Sequence, residues 1–269
     1  MMGAYRSNRR RALVIYALVG LSTLLLGLAW LTYGLTNVTL SFMLTNQQID
    51  THNALAQGVR SWGDHLALVA GVGILAKALA AVALTFWLTR SMANLRALSV
   101  PGARWPSGFS IAPLLLLFPA LVWTSVWLIL THPQAVALYV SMAVAATLSL
   151  TLPLGVFRRL WVASRARGST ETRPRVWGGL IVWWAAYLAG WMVVAFFSAL
   201  PEPNSTVSGQ WTDNGTAASY LMVRGLGELA AATALVIAAI FFVRTMSCIN
   251  AMQDGHARMV TEPTPRFEC

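Results

Sequence analysis

The chain has 269 residues, of which 57% are hydrophobic and 10% charged, with a net charge of +10. Ordinary globular domains carry roughly 25% charged residues, so this composition excludes a water-soluble fold. It points instead to an integral membrane protein built from apolar runs of about 20 residues, the length that crosses a hydrocarbon core about 30 Å thick. The positive charge would point to nucleic acid on a soluble fold. Here the arginines gather on one side of the predicted membrane, and no nucleic-acid partner is expected.

The chain opens with Arg6, Arg9, Arg10 and Arg11 directly before an apolar run. That run is too long for the core of a cleaved signal peptide and no small-x-small cleavage pattern follows it, so an uncleaved signal anchor is expected. Six spanning helices are predicted, at 12–35, 66–89, 109–131, 135–157, 176–200 and 220–243. The fold class is therefore all-α and polytopic. A basic segment at 1–11 precedes the transmembrane domain at 12–243, and a tail at 244–269 follows it, helical for a turn or two and then disordered. Pro113 and Pro119 each remove a backbone donor and should kink the third span. The short turn at His132, Pro133 and Gln134 makes the third and fourth spans antiparallel neighbours.

Sixteen Lys and Arg residues outside the spans fall on one side, and Arg60 alone falls on the other. By the positive-inside rule both termini are cytoplasmic, in a bacterial inner membrane. Cys248 and Cys269 then lie where thiols stay reduced, so a disulfide framework is not expected. Residues 36–65 are predicted as an outer loop, either irregular or holding an interfacial helix with Leu55, Val59 and Trp62 on one face. Residues 201–219 are rich in turn formers. Asn37, Asn204 and Asn214 each open an N-x-Ser/Thr pattern on the outer side.

Trp87 to Trp105 forms the collar between the second and third spans. Trp87, Trp105, Trp161 and Trp177 suit an interfacial belt. Arg90 marks the inner depth, Arg96 and Arg104 face anionic lipid, and Pro101–Gly102 ends the helix. The loop from Arg158 to Arg175 carries six arginines and one acid. Contact with anionic headgroups there is worth about 1 kcal/mol per basic residue.

Three ionisable residues lie inside predicted spans, where charge is costly unless it is paired or faces a polar cavity. Arg224 and Glu228 share a face of the sixth helix at i, i+4, and Lys77 sits in the second. With Arg90 and Arg244 as inner markers and 1.5 Å per residue, Lys77 lies ~20 Å, Glu228 ~24 Å and Arg224 ~30 Å above its marker. Both helices are rich in Gly and Ala, which permits close packing. The expectation is that they pack together and that Glu228 bridges Lys77 and Arg224, as an ion or proton path, as a binding site for a charged ligand, or as a pair that only fixes register. Trp183, Tyr187 and Trp191 form an aromatic ridge at i, i+4 and i+8, read as bundle packing or as the lining of an apolar groove.

No cofactor or metal is expected. His52, His65 and His132 fall near the outer face without the spacing of a zinc motif. No G-x-S-x-G, H-E-x-x-H or Walker pattern occurs, which makes an enzyme the less favoured class.

Trp87, Arg90, Asn94, Ala97 and Leu98, followed by Pro101 and Gly102, then Arg158, Leu160, Trp161, Ala163 and Ser164, then Trp183–Trp184 and an arginine-ended last helix, form an ordered set. Over about residues 87–250 it resembles the bacterial membrane-protein family called domain of unknown function 4328. The chain departs from that family between Trp105 and Arg158, where two apolar segments replace an aromatic, proline-rich middle. The resemblance implies a polytopic bacterial membrane protein and brings no activity with it. The place of Asn94 in the motif implies a specific hydrogen bond, expected to the loop around Arg158 and Trp161. The function expected is a non-enzymatic membrane scaffold or complex subunit, in contact with the bilayer and with a membrane-protein partner. The alternatives are a small transporter or channel using Lys77, Glu228 and Arg224, and a lipid-modifying intramembrane enzyme.

Overall fold

The computed structural model describes residues 5–46, 55–100, 154–164, 176–198 and 214–261. They are helical: α1 (Arg9–Thr45), α2 (Leu55–Ala97), α3 (154–164), α4 (Val176–Ser198) and α5 (Asn214–Thr261). α1, α2 and α5 are each long and apolar enough to cross a membrane, and α4 carries a shorter apolar stretch, Gly178–Val194. The third predicted span and all but the last turn of the fourth lie outside the described residues, as does the His132 turn.

The helices are apolar on both faces, as expected of segments that meet protein on one side and lipid on the other. On α1, Ala12, Ile15, Ser22, Leu26, Ala29 and Gly34 face inward, while Leu13, Leu24, Leu28 and Leu35 face outward. The inward set is small, and smallness sets the packing. A Cβ added at Gly225 of α5 would come within 2.7 Å of the Gly34 carbonyl oxygen of α1, so the two backbones touch. Gly73 of α2 meets the side chains of Leu25 and Leu26, and Gly190 of α4 meets Ala231 and Ala234 of α5. α1 packs against both α2 and α5, and α4 packs against α5. The expected close packing of the second helix on the sixth is thus corrected: α1 packs closely on both, while α2 and α5 meet through side chains, among them Trp87 on Asn250 and Gln253 on Ser91.

Three helices outrun their predicted spans. α1 continues past residue 35 because Ser41 and Leu44 are buried against Ala217 and Ala218 of α5, with the Ser41 hydroxyl donating to the Ala218 carbonyl at 2.6 Å. α2 begins at Leu55, so the end of the predicted outer loop is helix, continuous with the span. α5 runs to Thr261, far beyond the turn or two expected after Arg244. The cause is a buried stripe, Met246, Ile249, Asn250, Gln253 and Ala257, which keeps the helix docked along its C-terminal end.

α2 stops in a left-handed cap. Ser99 has φ of 55°, Val100 N–H donates to the Leu95 carbonyl and Ser99 N–H to that of Arg96. This hydrogen-bond pattern closes a helix, commonly with proline just beyond, and Pro101 follows.

The principal core lies at the arginine-rich end. Phe157 of α3 stacks on Trp87 at 6.2 Å and meets Trp183 edge-on at 5.1 Å, and Trp183 packs on Phe242 of α5 at 5.1 Å. Trp87, Trp161, Trp183 and Trp184 are all buried there. Trp87 and Trp161 therefore fill the bundle interior, and do not stand in a headgroup belt.

The Gly34–Gly225 contact makes a direct test. Gly225→Leu should lower thermal stability in detergent by about 1–3 kcal/mol, the usual cost of overpacking. Gly71→Leu, at an exposed position with open space around it, should leave the melting temperature unchanged.

Candidate functional site

Lys77 projects from the small-residue face of α2, which Gly73, Ala76 and Ala80 keep low. Its Nζ lies 4.6 Å from the centroid of Tyr187 and 4.5 Å from that of Trp191, both on α4. Trp191 in turn is held edge-on by Trp30 of α1 at 5.8 Å. The stem of Lys77 is half-buried, but its nitrogen is shielded from solvent and has no hydrogen-bond partner among the described residues. Beside it is a cavity of about 90 Å³, lined by Ser22 and Thr23 of α1, Ala80 of α2, Trp183 and Tyr187 of α4 and Leu235 of α5 among others. A desolvated ammonium over aromatic faces gains about 2 kcal/mol or more, which offsets only part of the cost of its burial.

Glu228 and Arg224 form a separate cluster. Arg224 Nε contacts Glu228 Oε1 at 3.3 Å and Arg224 Nη1 donates to the Tyr220 hydroxyl at 3.2 Å. Asn37 Nδ2 of α1 donates to Glu228 Oε2 at 2.9 Å. Asn37 is therefore inside α1 with its amide engaged, not in an outer loop open to modification. Along α1, Lys77 is level with Ser22 and Thr23 and Glu228 with Asn37, roughly fourteen residues or ~21 Å apart. The expected bridge from Glu228 to Lys77 is not formed; only the Arg224–Glu228 half of the trio comes together. The depth estimate fails because Arg90 and Arg244 are not level. Trp87 Nε1 donates to Asn250 Oδ1 at 3.0 Å, which sets α5 off from the assumed alignment by roughly nine residues, ~14 Å. Arg244 sits on the exposed face of α5 and can reach outward along its flexible stem.

A third constellation contains two residues that the sequence motif names, Asn94 and Ser164, and four that it does not. At the arginine-rich end, Asn8, Ser91, Asn94, Ser164, Asn250 and Gln253 are buried polar residues. Asn8 Nδ2 donates to the Trp87 carbonyl at 3.1 Å and to Ser91 Oγ at 2.8 Å. Gln253 Nε2 donates to Ser164 Oγ at 3.2 Å and to the Ser91 carbonyl at 3.4 Å. Asn94 Nδ2 donates to the Arg6 carbonyl at 2.9 Å, and its Oδ1 accepts from Arg6 N–H at 3.4 Å. Asn94 thus clamps the N-terminal segment by its backbone, and not the loop around Arg158 as expected. Asp254 completes the latch, accepting from the Tyr5 hydroxyl and from Arg9 Nε, the latter at 2.8 Å. Burial, together with Asp254, raises the Tyr5 pKa well above that of an ordinary tyrosine, so the hydroxyl stays a donor. The spacing was legible after the fact: Ser91–Asn94 and Asn250–Gln253 are both i, i+3 polar pairs on one helix face.

Of the family-motif residues, Trp87, Asn94, Trp161, Trp183 and Trp184 are buried, Arg90 is half-buried and Arg158 is exposed. No group of three or more His, Cys, Asp or Glu suited to a metal occurs among the described residues.

Replacing Asn94 with Ala removes both bonds to the Arg6 backbone, which costs about 1 kcal/mol. Limited trypsin digestion should cut after Arg6 several-fold faster in Asn94→Ala than in the parent. Equal cleavage rates would show that the clamp does not hold the segment. Comparison with protein-family models, with curated proteins and with solved structures found no match to this chain.

Proposed function

We propose that the chain is a multi-pass protein of the bacterial inner membrane whose arginine-rich end faces the cytoplasm, and that it acts by binding, as a membrane scaffold or complex subunit. The observation that carries this reading is the polar interlock. It ties the N-terminal segment, α2, α3 and α5 into one base through buried amides and hydroxyls. Around that base Arg6, Arg9, Arg10, Arg11, Arg96, Arg158, Arg159 and Arg258 are exposed. A fixed base carrying a ring of cations is suited to docking on anionic headgroups and on a partner. The family resemblance over residues 87–250 stays part of this proposal, supported by the convergence of Trp87, Asn94, Trp161, Trp183 and Trp184 on the same base.

The transporter reading draws on the cavity beside Lys77. A charge relay through Lys77, Glu228 and Arg224 is not favoured, because Glu228 is committed to Arg224 and Asn37 at a different level of α1.

Orientation and role are tested in one strain set. With Cys248 and Cys269 changed to Ser, Asn46→Cys should react with an impermeant maleimide in intact cells, and Ser7→Cys only after permeabilisation. The reverse pattern would overturn the orientation. Purification from native membranes should yield a stoichiometric membrane-protein partner, and a tag on that partner should return this chain in equal amount. A solitary chain in both would overturn the scaffold role.

A further inference from the structure

We propose that Arg6, Arg11 and Arg90 form a binding site for one phospholipid whose headgroup carries two phosphates, seated where the N-terminal segment crosses α2. The proposal rests on the reading of the arginine-rich end as the base that docks on anionic headgroups, and adds to it a place, a stoichiometry and a lipid class. The buried amides build the site. Asn94, one turn beyond Arg90 on α2, holds the Arg6 backbone by two hydrogen bonds. Asn8 reaches the Trp87 carbonyl and Ser91 Oγ, on either side of Arg90, and its Oδ1 accepts from Arg11 Nη1 at 3.3 Å. Arg6 and Arg11 thereby stand close enough to Arg90 for their charges to repel it.

Like charges gathered in this way cost stability until an anion joins them. Asp254 is the one acid at this end among the described residues, and it already accepts from Tyr5 and Arg9. Arg6 and Arg11 are exposed and Arg90 is half-buried. A guanidinium has five N–H donors and grips a phosphate through two at once, so Arg11 keeps donors to spare after its bond to Asn8. One phosphodiester would leave two of the three cations without a counter-charge, whereas two in one headgroup leave only one, and basic sites beside membrane helices suit such headgroups. The neighbouring surface points to a lipid and not to a soluble phosphate. On α2, Leu79, Val82 and Phe86 are exposed and share the face that ends in Arg90. On α1, Val14 and Leu21 are exposed and share the face that begins at Arg11. Each of these arginines therefore stands at the head of an apolar track, as a headgroup stands at the head of its acyl chains.

The test uses the whole protein in an uncharged detergent, titrated with tetraoleoyl cardiolipin, which has two phosphates, with dioleoyl phosphatidylglycerol, which has one, and with zwitterionic dioleoyl phosphatidylcholine. Bound lipid is counted by native mass spectrometry. Cardiolipin should bind saturably at about one per chain and about tenfold or more tighter than phosphatidylglycerol, as one added charge-assisted contact provides. Arg6→Gln combined with Arg11→Gln should weaken cardiolipin about tenfold or more, and Arg90→Gln to a similar extent. Arg244→Gln, on the exposed face of α5 and outside the cluster, should leave it unchanged. The double variant changes only exposed side chains, and decides the matter if Arg90→Gln fails to fold, judged by size-exclusion elution and melting temperature. Inorganic pyrophosphate in large excess should not displace the lipid. Absence of saturable cardiolipin binding, equal affinity for phosphatidylglycerol, displacement by pyrophosphate, or parent-like affinity in the folded variants would overturn the proposal. Sidedness plays no part in detergent, so such a failure leaves the maleimide and partner results standing, and a reversed maleimide pattern leaves the lipid affinity standing.

Discussion

The structure depends on one bond more than on any other, the donation from the Trp87 indole to Asn250. It sets the level of α2 against α5, two helices that pack closely on α1 and less closely on each other. Between apolar helices there is nothing in composition to distinguish one register from the next, because leucine against leucine is as good as leucine against lipid. A buried hydrogen bond does distinguish them, since a slip of one turn would leave an indole N–H and an amide without partners. Asn8, Ser91, Ser164 and Gln253 repeat that argument around the same axis. Small residues then do the rest: Gly34 on Gly225 and Gly73 on Leu26 let the backbones close wherever the interlock has aligned them.

With the register fixed in this way, the placement of charge follows. Lys77 is carried to the aromatic ridge of α4 and Glu228 to Asn37 of α1, so each meets the partner available at its own level. The two sites differ in kind. Around Glu228, Arg224, Asn37 and Tyr220 complete a set of donors and acceptors that holds the C-terminal half of α1 to α5. Around Lys77 the contacts among the described residues are ring faces, those of Tyr187 and Trp191, with no hydrogen-bond acceptor among them.

How much of this could be read from the chain depends on length scale. Helix-forming apolar runs are legible because a membrane demands about 20 apolar residues, and α4 falls within two residues of its predicted end. The i, i+4 pair of Arg224 and Glu228 is legible because it is local. Helix length beyond the membrane was not, since α5 continues to Thr261 on contacts with elements remote in sequence. The offset between Arg90 and Arg244 was hidden for a related reason: similar local text, FWLTRSM and FFVRTM, implied equal depth, but register is a tertiary property. Trp87 was misread because an indole beside an arginine fits a headgroup belt and a packed core equally well, and Phe157 and Asn250, which decide it, are far away in sequence.

The central claim, that the interlock and not a Lys77–Glu228 pair sets α2 against α5, is tested most directly by cross-linking in a protein freed of its native cysteines. Ser91→Cys combined with Gln253→Cys should be joined efficiently by a short bis-maleimide, while Lys77→Cys combined with Glu228→Cys should not. Efficient joining of the second pair, with the first unreactive, would contradict the account.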